Sequence, residues 1–408
     1  MKYYFKSRRL DLKTIKVREG KESKFMQKNR AGRHVKQLAG YKAYIPKLLP
    51  PTPPVKYDGE LRNLLSEADR ALAKLDGITT VLPNPELFIA MYVKKEALLS
   101  SQIEGTQASL EGILRFEANL ESSEDINEIK EVVNYIKAMN YGINRLKDIP
   151  LSNKLIKEIH KILIKGTRGT LKTPGEFRKT QNWLGPQGAN LSEATFVPPP
   201  PDIVIDLMSN LEKFIHSKDE IPPLIKISLI HAQFETIHPF LDGNGRVGRL
   251  LITFYLFWEK ILSRPLLYLS FYLKKNRIEY YDWLMKIRLY GDWEGWLKFF
   301  LKGIKEVSEE AANSAGKIIV LKETILKKLF DKKISTIYAV EFLNLLFRKP
   351  IITSQELIKE LKTSKETANQ IIKKFEEIEI LKEISGKKRY KKYIFSDYVN
   401  IIKRGTEL

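Results

Sequence analysis

Apolar residues recur at helical spacing along most of the chain, which predicts a mainly α fold. Residues 60–75 place Leu61, Leu64, Leu65, Ala68, Leu72 and Leu75 on one face. Three more amphipathic segments fall within residues 107–165, the clearest carrying Ile126, Ile129, Val133, Ile136, Met139 and Ile143. Before them, Asn84 can cap a helix, Pro85 suits its first turn and Glu86 its dipole; that helix runs to Gly105, a residue suited to a helix end. Residues 223–237 carry Leu224, Ile227, Ile230 and Phe234 at the same spacing, and residues 249–260 are almost wholly apolar yet too short to span a membrane. Helix continues through residues 274–302, and residues 318–329 read as a connecting helix.

Two regions depart from this pattern. Residues 174–201 break into short extended pieces, Thr180–Trp183 and Thr195–Val197, around Gly185-Pro186-Gln187-Gly188, which predicts a β-hairpin. A lone hairpin is marginal in water, so it is expected to lie against the helices. Beyond residue 333 come helices at 334–347, 354–361 and 364–378, then strands at 381–385 and 390–395 around a basic turn. Three helices and a two-stranded wing resemble a winged helix-turn-helix. Asn369, Gln370 and Lys373 would face outward, with Lys387, Lys388 and Arg389 at the wing tip. The acids Glu376, Glu377 and Glu379 weigh against DNA, so DNA binding, protein docking and dimerisation all stay open.

Composition narrows the classes. A chain of 408 residues holds two or three domains, and with no cysteine it forms neither disulfides nor zinc-thiolate sites. Residues 1–20 lack an apolar run before a cleavage site, so a cytoplasmic protein with no membrane partner is expected. The net charge of +21 sits at the two ends: residues 1–49 hold 15 Lys+Arg against 3 Asp+Glu, and residues 316–408 hold 21 against 12. Such ends suit nucleic acid or an acidic partner, or serve only solubility.

The candidate chemistry lies in the loop His238-Pro239-Phe240-Leu241-Asp242-Gly243-Asn244-Gly245-Arg246-Val247-Gly248-Arg249 between two buried helices. Gly243, Gly245 and Gly248 let backbone amides converge, and the helix that follows adds its positive end, which makes a phosphate socket. Arg246 and Arg249, three apart, reach neighbouring phosphates of one chain. Asp242 suits Mg²⁺ shared with phosphate oxygens, and His238 can accept a proton near neutrality. His34, His160, His216 and His231 have no ligand companion at useful spacing and read as packed or solvated.

This loop resembles the signature of the Fic (filamentation induced by cAMP) family, His-Pro-Phe-x-Asp/Glu-Gly-Asn-Gly-Arg-x-x-Arg, at every specified position. The resemblance implies a Fic-type helical core with a β-hairpin flap and transfer of AMP from ATP to a hydroxyl of a target protein, or of the chain itself. It makes His238 the base, Asp242 the Mg²⁺ ligand and Asn244 with the loop amides the α-phosphate cradle. Arg246 then takes the β-phosphate and Arg249 the γ-phosphate; Gly243, Gly245, Val247 and Gly248 complete the ATP site, and Tyr281 is the candidate for adenine. Ser100, Glu104 and Gly105 resemble the family's inhibitory motif, in which the glutamate pairs with the second arginine. The flap residues Thr180, Gln181, Asn182, Trp183, Thr195, Phe196 and Val197 would pair with the target segment. The implied domains are a lead-in (1–55), an inhibitory helical region (56–120), the catalytic core (121–310), the connecting helix (311–333) and the winged helix (334–408). A homodimer is a further expectation. Two other readings stand beside this one: a DNA-binding regulator that senses nucleotide, and transfer from another donor such as a UMP or phosphocholine carrier.

Overall fold

Helix α1 (Gly59–Val81) buries Leu61, Ala68, Leu72 and Leu75 from its leucine stripe against the 39-residue helix that closes the core, Trp293–Asp331. In the computed structural model, residues 30–407 are described apart from 82–84, 119–123, 168–171, 187, 388 and 390. Residues 1–29 of the expected basic lead-in, the cap at Asn84, Gln187 of the flap turn and the wing-tip Lys388 lie outside the described residues. Among those described, no helix is long and apolar enough to cross a membrane.

The helices follow as α2 (Pro85–Ile103), α3 (Leu110–Glu117), α4 (Ile126–Arg145), α5 (Asn153–Leu163), α6 (Val204–His216), α7 (Pro223–Ile237), α8 (Asn244–Trp258), α9 (Ser270–Lys275), α10 (Arg277–Tyr290) and α11 (Trp293–Asp331). Side-chain caps start several of them: Ser109 for α3, Asp125 for α4, Ser152 for α5 and Asp292 for α11. Helices α7 and α8 pack on each other and are buried almost all round, so they form the centre of the core. The connecting helix expected at 311–333 is not a separate element. Nothing interrupts α11 after residue 302, and Ala311, Ala312, Ala315 and Ile318 stay buried along it.

Strands β1 (Arg33–Lys36) and β2 (Lys42–Ile45) pair antiparallel, so part of the extended lead-in is a hairpin. The hairpin expected at 180–197 is instead pinched to one bridge, Leu184 with Phe196. A 3₁₀ turn at Leu191–Glu193, closed by a capping box from Asn190, takes up the connection. The side chains of Gln181 and Asn182 bond to backbone carbonyls where a ladder would have run. Strand β2 leans on this flap through Tyr44 N–H, which donates to Val197 O at 2.9 Å.

Beyond α11 come α12 (Ile337–Arg348), β3 (Ile351–Thr353), α13 (Ser354–Leu361), α14 (Lys365–Glu377), β4 (Lys382–Glu383), β5 (Lys392–Ile394) and α15 (Ser396–Lys403). The sheet has three strands in the order β3-β5-β4. Sequence periodicity missed β3, which is only three residues long. Helices α12 and α15 pack on α2, and the backbone at Thr406 accepts from Gln102 Nε2 at 3.1 Å, one turn from Glu104.

His231 sits fully buried in α7, its Nδ1 donating to Gly248 O at 3.0 Å and its Nε2 accepting from Tyr280 Oη at 3.0 Å. Burial, helped by the Arg249 charge, pushes its pKa down to about 3. An unfolded histidine takes up a proton near pH 6.5, whereas this one stays neutral when folded. Its contribution is therefore whole above about pH 6.5 and is lost as pH falls toward 3. Urea midpoints measured from pH 8 to pH 5 are expected to fall below pH 6.5, with a shallower fall in His231→Gln; equal slopes would count against this origin.

Candidate active site

Helix α7 ends at His238, whose backbone is left-handed (φ 51°, ψ 60°), and the chain turns there toward α8. Few residues other than glycine adopt this conformation, so the surroundings must hold it. Asn244 closes the loop: its Oδ1 accepts from Phe240 N–H and its Nδ2 donates to Phe240 O, both at 2.8 Å. The Asn244 amide, expected to cradle phosphate, uses its oxygen and one of its two N–H donors in shaping the turn. Gly243 caps α8 at φ 76°, and no side chain caps that helix start.

Beneath the loop lies His160 of α5, stacked on Phe240 at 3.8 Å. Its Nδ1 accepts from Gly175 N–H at 2.9 Å and its Nε2 donates to Asp242 O at 3.0 Å. Backbone groups have one role each, so the tautomer is fixed and the ring is neutral. Burial pushes its pKa down to about 4. His160 read as a packed or solvated helix residue; it is packed, but it also braces the loop after His238. That contact spans 82 positions, and no spacing rule signals it.

Asp242 Oδ1 accepts from Gly243 N–H at 2.6 Å and faces Arg246 Nη2 at 3.7 Å. Arg246 is buried, with Glu131 at 3.7 Å on its other side, yet its Nε and Nη1 make no hydrogen bond. Among the described residues, no cluster of three or more His, Cys, Asp or Glu could bind a metal without help.

Arg249 is 2% exposed and bonded through Nε and Nη2. Its Nε donates to Ser100 Oγ at 2.8 Å, and its Nη2 donates to Ser100 O at 2.9 Å and to Glu104 Oε1 at 2.7 Å. Ser100 lies in the last turn of α2 and Glu104 just past it, where Gly105 (φ 101°) reverses the chain. Burial works to raise the Glu104 carboxyl, but the Arg249 charge and hydrogen bond outweigh it and hold the pKa below the ordinary value. A Cβ at position 245 would stand 2.2 Å from Glu104 Oε1, and one at 248 would stand 2.3 Å from Glu235 Oε1. Two of the three motif glycines therefore make room for carboxylates, where convergence of amides was expected; Gly243 alone of the three needs a positive φ. Glu235 drew no attention in the sequence. Its Oε1 is buried without a partner, and burial pushes its pKa up to about 7.

His238 is neutral by a wide margin, since burial and then the charges of Arg288 and Arg178 push its pKa down to about 3. Tyr281, 40% exposed, packs on Tyr280 at the same rim, near enough to Glu104 and Arg249 to feel both charges. In the flap, Thr180, Trp183 and Thr195 are exposed. Phe196 is buried beneath the Arg288 guanidinium, 3.8 Å from the ring centre, and Val197 O is held by β2. Gln181 takes Tyr41 Oη on its Oε1 at 3.2 Å and gives its amide to Pro198 O. Asn182, expected to meet a target, turns inward and donates to His238 O at 3.2 Å and to Phe240 O at 2.8 Å.

Residues 62–144 match the family described as Fic/DOC family N-terminal, and residues 150–256 match the Fic/DOC family. The chain is 30% identical over 173 residues to a probable protein adenylyltransferase of Aquifex aeolicus, covering 41% of this chain and 48% of that protein. It is 29% identical over 177 residues to the protein adenylyltransferase Fic of Drosophila grimshawi, covering 43% of this chain and 33% of that protein. The matches thus span half or less of these relatives' length. A crystal structure of a Fic family protein from Desulfovibrio desulfuricans G20 aligns with a TM-score of 0.54 at 20% identity, over 84% of this chain and 97% of that one, which shows a common fold. One family match contains Glu104 and the other contains His238 and Arg249, the same groups that the fold brings into a single site, so residues 62–144 carry a Fic N-terminal domain and residues 150–256 a Fic domain.

Proposed function

We propose that this chain is a protein adenylyltransferase that moves AMP from ATP to a hydroxyl of a target protein and is restrained by Glu104. The observation that carries the reading is the contrast between two buried arginines beside a neutral imidazole. Arg246 keeps two unused donors, whereas Arg249 is occupied by a carboxylate. Donors of this kind suit a polyphosphate.

In the proposed reaction the hydroxyl oxygen attacks the α-phosphorus while its proton passes to His238. The new phosphoester bond forms as the α,β-bridging P–O bond breaks, and pyrophosphate leaves with that electron pair. The proton on His238 then passes to solvent. An imidazole with a pKa near 3 is a weak base, but a bound triphosphate brings negative charge that raises it toward the working range. Arg246 would hold the β-phosphate, and Arg249 the γ-phosphate once Glu104 withdraws. Asp242 fits Mg²⁺ as the one carboxylate of the loop, with phosphate oxygens and water as the other ligands, and the ion would neutralise charge on the leaving group. The exposed Thr180, Trp183 and Thr195 are the flap groups open to a target segment, and Tyr281 suits the base.

Residues 334–407 are proposed as a winged helix-turn-helix, supported by the element order and by the exposure of Asn369, Gln370 and Lys373 on α14. If that face takes duplex DNA, affinity will fall steeply with added salt, and flat salt dependence will favour a protein partner.

Self-transfer from α-labelled ATP separates these roles. Glu104→Gly is expected to raise the rate about tenfold or more, equivalent to ~1.4 kcal/mol of barrier. Ser100→Ala, which removes one Arg249 contact, is expected to raise it less, and His238→Ala to abolish it. Equal labelling in all four proteins would contradict the mechanism. Labelling from UTP in preference to ATP would redirect it to another donor.

A further inference from the structure

Arg178 is 2% exposed, and among the described residues it forms no ion pair. Burial lowers its pKa to about 10, so it remains a cation at neutral pH. A buried guanidinium without an anion must satisfy its donors elsewhere. Here they meet carbonyl oxygens: Nε donates to His238 O at 2.9 Å, Nη1 to Thr180 O at 3.4 Å, and Nη2 to Ile237 O at 3.4 Å and to Pro199 O. The Arg178 N–H adds a bond to Pro239 O at 2.8 Å. Ile237 and His238 end α7, where carbonyls lack helical partners and the dipole favours a cation. Asn182 supports the same turn through His238 O and Phe240 O.

We infer that Arg178 and Asn182 are positioning residues that hold His238 in its left-handed turn, so that the flap aims the base. The inference rests on the adenylyl-transfer reading for its kinetic consequences but not for its geometry. A lysine at 178 would preserve charge while losing the planar fork that reaches carbonyls on both sides. Three charged groups act on His238, Arg288 from α10, Arg178 from the flap and Glu104 from the end of α2, and a backbone hydrogen bond to Glu235 of α7 adds to them. A cation disfavours the imidazolium, so removing Arg178 raises the His238 pKa and moves the acid limb of the rate profile to higher pH.

The test uses the full chain carrying Glu104→Gly, with self-transfer followed against ATP concentration and pH. Arg178→Met is expected to lower kcat about tenfold or more with KM for ATP within twofold, and to shift the acid limb upward. Arg178→Lys is expected to keep the parental acid limb with kcat still low, and Asn182→Ala to lower kcat severalfold. Parental kcat in Arg178→Met, or a loss that falls equally on KM, would overturn the inference. Amide exchange is read in parallel. Both Arg178→Met and Asn182→Ala should quicken exchange at residues 238–241 about tenfold, with the interior of α7 unaffected. Unchanged exchange overturns the positioning role whatever the activity. If Arg178→Met fails to fold, Asn182→Ala decides on both readouts. No transfer by the Glu104→Gly parent would instead remove the adenylyltransferase reading, while the exchange result would still judge the geometry.

Discussion

A guanidinium removed from water needs an anion or several strong acceptors, and Arg249 is such a group at the centre of the core. Its position on α8 is fixed by packing on both sides of that helix, so it cannot swing out to solvent when a partner changes. Whatever binds the pocket must deal with it. In the structure the ligand is Glu104, reinforced by the hydroxyl and carbonyl of Ser100. In the proposed reaction it would be a phosphate, and restraint and substrate binding would then compete for one cation.

Much of the surrounding structure follows from that requirement. Position 245 is glycine because a side chain there would collide with the Glu104 carboxylate and the Arg249 fork. Behind Arg249, Glu96 takes hydrogen bonds from Tyr135 and Ser270, and burial pushes its pKa up to about 7 against those bonds and the Arg249 charge. Helix α2 carries Ser100 to the site on one face and meets α12 and α15 on another. The turn that carries Glu104 is thus framed by C-terminal elements, and Thr106 ties it through Glu131 toward Arg246.

The parts of this arrangement legible in the sequence were those whose meaning is local. Residues 238–249 form one short loop and the start of α8, so their types and offsets could be read together, and the Ser100–Glu104 spacing put both on one side of a helix end. His160, Arg178 and Glu235 were not legible as site residues. His160 and Arg178 act on backbone groups 82 and 60 positions away, which no periodicity encodes. Glu235 lies on a helix buried all round, where no face is marked as functional. Asn244 and Asn182 were assigned outward roles by the family resemblance, whereas their amides also answer the need of an irregular, buried loop for hydrogen bonds. The flap keeps only one antiparallel bridge, and side chains such as Gln181 bond to its backbone where a longer ladder would have run.

Exchange of one anion for another at Arg249 is tested most directly by comparing ATP with ADP in calorimetric titrations of the wild-type chain and of Glu104→Gly. With Arg249 occupied by Glu104, the third phosphate gains little, and the two nucleotides should bind the wild type within about twofold. With the carboxylate gone, ATP should bind about tenfold more tightly than ADP, a difference of ~1.4 kcal/mol, and Arg249→Ala added to Glu104→Gly should erase it. An ATP-to-ADP ratio that is the same with and without Glu104 would contradict competition for this guanidinium.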